Sequence, residues 1–136
     1  MCRSVSTTRR APLPTARELL DANLHEVFNN RDAAARRAVI DRIYAEDAVF
    51  TDPEGSTVGR DEIDRKAGGL LETAPAEFQF VEDSIHYDGG DTAALAWAFG
   101  PVGDPVVRGI DILTIRDGRI SAIRTIVVEG SSDAGS

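Results

Sequence analysis

Cysteine is almost missing from this chain: Cys2 is the only one in 136 residues. No internal disulfide can form and no four-cysteine metal site exists. A reducing setting follows, and the expected location is cytoplasmic. Histidine is nearly as scarce, and His25 and His86 stand in no constellation of recognisable ligand spacing. Each is expected to be a surface or structural residue, and no metal site is expected. The sequence also lacks a Gly-x-Gly-x-x-Gly fingerprint, a phosphate loop, a Gly-x-Ser-x-Gly elbow and a His-Glu-x-x-His pair. Nucleotide, serine-triad and zinc-hydrolase chemistries lose their usual signatures, and no cofactor is expected. No apolar run approaches the roughly 18 residues of a membrane span. Positive charge is short as well, with 15 Lys+Arg against 23 Asp+Glu and a net charge of −8. Three of those arginines, Arg3, Arg9 and Arg10, lie near the N-terminus, so the body is more acidic still. Such a surface repels phosphate backbones and anionic lipid, and neither nucleic acid nor membrane is an expected partner.

The length suits one domain, and a hydrophobic content of 42% can fill one core without metals or cross-links. Residues Met1 to Pro14 hold arginines, serines and threonines with no acid, a pattern faintly like a transit peptide, and lack the apolar stretch of a secretory signal. Of the two readings, targeting segment or disordered tail, the tail is the one expected. The domain is expected over 15–129, with a polar tail over 130–136.

From Thr15 the pattern turns helical. Thr15 and Glu18 have capping-box spacing, and Ala16, Leu19, Leu20, Leu24, Val27 and Phe28 share a stripe to about Asn29. Asp32 can cap a second helix, with Ala35, Val39, Ile40, Ile43 and Tyr44 inward and Arg36, Arg37, Asp41 and Arg42 wet, ending near Ala45. A short strand, Ala48 to Asp52, stops at Pro53, and Glu54 to Gly59 is mostly turn. A third helix spans about Asp61 to Thr73, weakened by Gly68 and Gly69. Strands follow over Glu77 to Tyr87, Thr92 to Phe99, Val106 to Arg116 and Arg119 to Val128, joined by turn chemistry such as Asp117-Gly118. Helices covering one face of a curved antiparallel sheet make an α+β plan.

Two aspartates stand in unusual surroundings. Asp111 interrupts the apolar strand Gly109 to Ile115, and by alternation it shares a face with Gly109, Leu113 and Ile115. A carboxylate there is costly unless it has a partner or a task. A plain reading is a hydrogen bond to a turn or helix end. Burial would raise its pKa. Asp52 closes its strand before a proline, which is also ordinary turn grammar.

Ile43 to Pro53, Gly59-Arg60-Asp61-Glu62-Ile63, Gly109-Ile110-Asp111 and Asp117-Gly118-Arg119-Ile120 together resemble the SnoaL-like polyketide cyclase and ketosteroid isomerase group. That group lies within the nuclear transport factor two-like superfamily, and the similarity covers about Thr15 to Val128. It implies a conical barrel: a strongly bent, mostly antiparallel sheet packed on three N-terminal helices around an apolar pocket. The resemblance puts the ketosteroid isomerases' general base on Asp52 and their protonated second acid on Asp111. Their oxyanion tyrosine falls on Leu24, and its supporting phenols fall on Tyr44 and Ala67. Losing one oxyanion donor costs about a hundredfold or more, which points away from efficient steroid isomerisation. The superfamily's epoxide hydrolases need an arginine facing the second carboxylate. That place is Gly109, Arg108 points to the other side, and Arg124 could approach from the neighbouring strand.

The resulting expectation is an enzyme for cofactor-free proton transfer on a hydrophobic carbonyl or polyketide-like substrate, leading to isomerisation or aldol-type cyclisation. Asp52 would take the proton and Asp111 donate to oxygen. Leu24, Phe28, Tyr44, Trp97, Ile123, Thr125 and Val127 are the expected ligand-binding residues. The rival is a noncatalytic ligand-binding or dimerisation module of the same fold, and an epoxide hydrolase ranks third. An open apolar cavity holding both carboxylates favours catalysis; a filled one with Asp111 bonded to a turn favours the module. A homodimer through the outer sheet face is expected, because both faces of Val106 to Val128 are largely hydrophobic.

Overall fold

The computed structural model describes residues 13–128. The expected tails, 1–14 and 130–136, lie outside these residues except for Leu13 and Pro14.

The first helix opens as α1 (Ala16–Asp21). Its capping box is complete: Thr15 Oγ1 accepts from the Glu18 amide at 3.1 Å, and Glu18 Oε1 accepts from the Thr15 amide at 2.8 Å. The helix then widens into a π-helical stretch, Ala22–Phe28, that buries Asn23, Leu24, Val27 and Phe28. In α2 (Ala33–Ile43) Asp32 caps the Ala35 amide. The third helix, α3 (Arg60–Thr73), leads out at Ala74 before Pro75.

Seven strands follow the order β2-β1-β7-β6-β5-β3, with β4 also on β5. They are β1 (Tyr44–Asp52), β2 (Gly55–Val58), β3 (Gln79–Glu82), β4 (Tyr87–Asp88), β5 (Thr92–Gly100), β6 (Val107–Arg116) and β7 (Arg119–Val128). Neighbours are antiparallel except β1 and β7, which run parallel. The β2 and β3 edges do not pair, so the cone-like sheet is open rather than a closed barrel. Asp117 at φ 56° and Gly118 at φ 75° make the tight hairpin expected between β6 and β7.

Five local expectations are corrected. Glu54 to Gly59, expected as mostly turn, holds β2, which pairs with β1 from Val49–Val58 to Asp52–Gly55. Ala35, expected on the inward face of the second helix, is exposed. β1 begins at Tyr44 rather than Ala48, because Tyr44 pairs with Ile120 ahead of a register shift that precedes Val49. The strand expected over Glu77 to Tyr87 is two pieces. At the break, the Ser84 hydroxyl accepts from the Ala96 amide at 3.0 Å in place of a backbone carbonyl. Arg36 is buried rather than wet: Nε donates to Asp64 Oδ1 at 2.9 Å and Nη1 to the Asn30 carbonyl at 2.8 Å. Gly68 makes room for it, since a Cβ there would stand 2.9 Å from Nη2. The glycine that weakens α3 thus admits a paired guanidinium.

Candidate active site

Alternation along β6 puts Gly109, Asp111 and Leu113 inward, as the apolar pattern predicts. Asp111 lies between Leu95 on β5 and Thr125 on β7. It is 7% exposed. Its Oδ1 accepts from Thr125 Oγ1 at 2.8 Å and from Trp97 Nε1 at 3.0 Å, and its Oδ2 from Asn23 Nδ2 at 3.4 Å. The Tyr44 hydroxyl donates to Asn23 Oδ1, so a relay runs from Tyr44 through Asn23 to Asp111.

Gly109 makes this geometry possible. A Cβ at that position would sit 2.4 Å from Trp97 Cζ2 and 2.6 Å from the Ile126 carbonyl oxygen. The indole therefore lies over bare backbone, with its N–H turned to Asp111. The three donors facing Asp111 are neutral, and no bond goes to a turn. Burial pushes its pKa up to about 6 against the pull of the Thr125 and Trp97 hydrogen bonds. Burial and the Asp111 charge together push the Tyr44 hydroxyl well above its usual value.

Asp111 stands in a cavity of about 610 Å³. All five phenylalanines and the single tryptophan of the chain line it. Phe80 is their hub, stacked on Phe99 at 4.2 Å and edge-on to Trp97 at 5.1 Å between ring centres. Asp52 reaches the same cavity from its more exposed side, together with Glu54 and Lys66. Lys66 Nζ is 2.8 Å from Asp52 Oδ2 and 2.6 Å from Glu54 Oε1. These carboxylates hold the ammonium above the usual lysine range, Asp52 most strongly. Asp52 Oδ1 also accepts from the Glu54 amide at 2.9 Å, the turn bond that Asp-Pro grammar suggests.

Of the residues expected at the site, Asp52, Asp111, Leu24, Phe28, Trp97, Thr125 and Val127 line the cavity. Tyr44 and Ile123 do not. Both are packed into the solid part of the core, at 0% and 1% exposure, and Tyr44 reaches Asp111 only through Asn23. Asn23, Phe50, Phe78, Phe80 and Phe99 were not foreseen. An asparagine inside the apolar stripe of the first helix was the available sign for Asn23. Neither arginine serves an epoxide-hydrolase arrangement. Arg108 pairs with Asp83, and Arg124 is exposed on the opposite face, beside Ile112 rather than Asp111.

Several solved structures share this fold. A protein assigned as an isomerase of the SnoaL-like family from Agrobacterium tumefaciens superposes with a TM-score of 0.74 at 22% identity, over 81% of this chain and 94% of its own. One assigned as a ketosteroid isomerase from Kribbella flavida gives 0.65 at 20%, over 88% and 82%. One assigned as a polyketide cyclase from Sinorhizobium meliloti gives 0.62 at 21%, over 79% and 92%. No curated protein matches the sequence. The sequence profile of the SnoaL-like domain matches residues 22–123, which is most of the chain and includes β1, Asp52 and Asp111. With the capped helices, the open sheet and the aromatic cavity, that match makes the chain a member of the SnoaL-like domain family.

Proposed function

We propose that this protein is an enzyme that moves a proton on a hydrophobic carbonyl compound, without a cofactor, and so isomerises it or closes a ring by an aldol-type step. The observation that carries the reading is Asp111: one buried carboxylate, with a pKa of about 6, in an aromatic cavity. A carboxylate with a raised pKa is ionised at pH 7 yet more basic than a surface aspartate, which suits removal of a proton next to a carbonyl. Trp97 and Thr125 anchor Oδ1, and Oδ2, whose one contact is long, takes the substrate proton. The proton returns from Asp111 to a second carbon in isomerisation, or to the new alkoxide in ring closure. Lys66, held by Asp52 and Glu54, supplies positive charge for the enolate oxygen.

This division of labour differs from the one the resemblance implies, where Asp52 is the base and Asp111 the donor. Its support is that Asp52 already has an ammonium partner, while Asp111 meets neutral donors. The aromatic lining favours a flat, apolar substrate such as a cyclic enone or a polyketide fragment. Deuterium wash-in from D2O into a panel of such compounds, followed by NMR, tests the reading. Wild type exchanges the α-proton and Asp111→Asn does not; equal exchange by both would overturn it. Binding without exchange across the panel would support a noncatalytic ligand-binding module instead.

Two further expectations remain proposals. We propose a cytoplasmic setting, on the scarcity of cysteine; among the described residues no helix is long and apolar enough to cross a membrane. We also propose a homodimer through the outer sheet face. Ala96, Ile110 and Ile126 align across β5, β6 and β7, and Ile126 and Val128 are 45% and 52% exposed. Sedimentation at micromolar concentration is expected to give a dimer, and a monomer alone would remove this claim.

A further inference from the structure

Neither histidine lines the cavity, and both face carboxylates from distant parts of the chain. His25 Nε2 is 2.6 Å from Glu82 Oε2 at the end of β3. His86, in the connection between β3 and β4, places Nε2 at 2.6 Å from Asp21 Oδ1. The two pairs are not independent. Asp21 and His25 are four residues apart on one helix, and donor atoms of Asp21, His25 and Glu82 all lie within 4.8 Å of one another.

Two tethers between the helix and the sheet edge would explain each pair separately. They do not explain why two carboxylates are held this close on a chain that is already acidic. Two carboxylate oxygens and one imidazole nitrogen, brought from the first helix and from β3, stand within ligand reach of one point, which is the arrangement a dication takes up.

We infer that Asp21, His25 and Glu82 form a binding site for a divalent transition-metal ion of the zinc type. One imidazole nitrogen and two carboxylate oxygens make a borderline donor set that suits zinc better than calcium or magnesium. Zinc with ligands at about 2.1 Å needs donor atoms about 3.4 Å apart. Small side-chain rotations reach that spacing, and the ion replaces the His25–Glu82 hydrogen bond. His86 is a positioning residue: it is the least exposed of the four side chains. By binding Asp21 Oδ1 it turns the other oxygen to the ion, in the way outer-shell partners orient metal-binding carboxylates. Three protein ligands leave a fourth position for water.

The test is calorimetric titration of zinc chloride into the full, chelator-stripped chain at pH 7.5, in a Cys2→Ser background that removes the thiol. One ion per chain at micromolar affinity is expected. Glu82→Gln and His25→Ala should each weaken binding at least tenfold, and His86→Gln about tenfold, the scale of outer-shell losses. In parallel, the wild-type imidazole NMR signals, only two in number, are followed during the titration. The His25 signal should shift in a saturable way and the His86 signal less, a readout that does not require any variant to fold. Absence of saturable binding, or binding that leaves the His25 signal and both ligand variants unaffected, would overturn the site. Asp111→Asn should bind zinc as wild type does, so failure here is separate from failure of the proposed reaction.

Discussion

Asp52 and Asp111 line the same cavity, and they differ in what faces them. Asp52 sits toward solvent against the Lys66 ammonium and a turn amide. Asp111 is enclosed and meets only an indole N–H, a threonine hydroxyl and an asparagine amide. A cation stabilises a carboxylate at long range and without fine geometry, whereas neutral donors do so only through aligned short contacts. Those contacts do not offset the burial of Asp111, which remains a group that accepts a proton near neutrality. The same side chain is thus an ion-pair partner in one place and, in the proposed reaction, the proton carrier in the other.

The largest expected break of this contrast is Asp111→Asn, which should lower proton exchange by about a hundredfold or more, the scale of a lost general base. Wild-type kcat/KM should rise with pH through about 6 and then level, while the variant stays flat. Stability has its own sign. The raised pKa means the native state keeps a proton that the unfolded chain has released from about pH 3.9 upward. This group's contribution is therefore full below that value and is lost as pH climbs to about 6, by about 3 kcal/mol. Asp111→Asn removes the loss, so chemical denaturation at pH 7 should find it as stable as wild type or more so. Its carbonyl can accept from Trp97 and Thr125, and an inverted Asn23 amide can meet its new N–H. A large drop in stability at pH 7 with activity intact would make Asp111 a structural acceptor.

Next in size is Gly109→Ala. The added methyl meets the indole and the Ile126 carbonyl, and backbone cannot yield as a side-chain tip can. A loss of about 1–3 kcal/mol is expected in denaturant melts, with reduced exchange because Trp97 leaves Oδ1. The smallest effect belongs to Lys66→Ala. This pair is partly solvated, so its removal should cost under about 1 kcal/mol while weakening exchange through the lost charge. A Lys66→Ala variant more damaged in stability than Gly109→Ala would reverse the assignment of the two regions.

What was legible in the sequence follows the range of the interactions involved. The helix starts were readable because Thr15 and Asp32 cap amides three residues on. The inward turn of Asp111 was readable because alternation is local to β6. The burial of Arg36 was not, since it depends on a missing Cβ at Gly68 in another helix. Nor was the interruption at Asp83 to His86, which depends on a hydroxyl standing in for a carbonyl opposite Ala96. Asn23 meets Asp111 across 88 positions, and the His25–Glu82 contact spans 57. No spacing rule reaches that far. The phenylalanines escaped because each reads as ordinary core; only their convergence on one void distinguishes them.

The parallel pairing of β1 with β7 also sets an order in time. β1 can form its hairpin with β2 as soon as both exist, but its other edge stays open until the final strand has been made. At about 5–20 residues per second, ribosomal synthesis separates the two events by several seconds. Through that interval a strand carrying Val49 and Phe50 offers unpaired amides and carbonyls to other chains. The slow, long-range closure typical of such topologies then adds Thr125 and completes the cavity. A ribosome-bound chain stalled before β7 should therefore be both inactive and adhesive, and production yield should depend on how well chaperones cover that one edge.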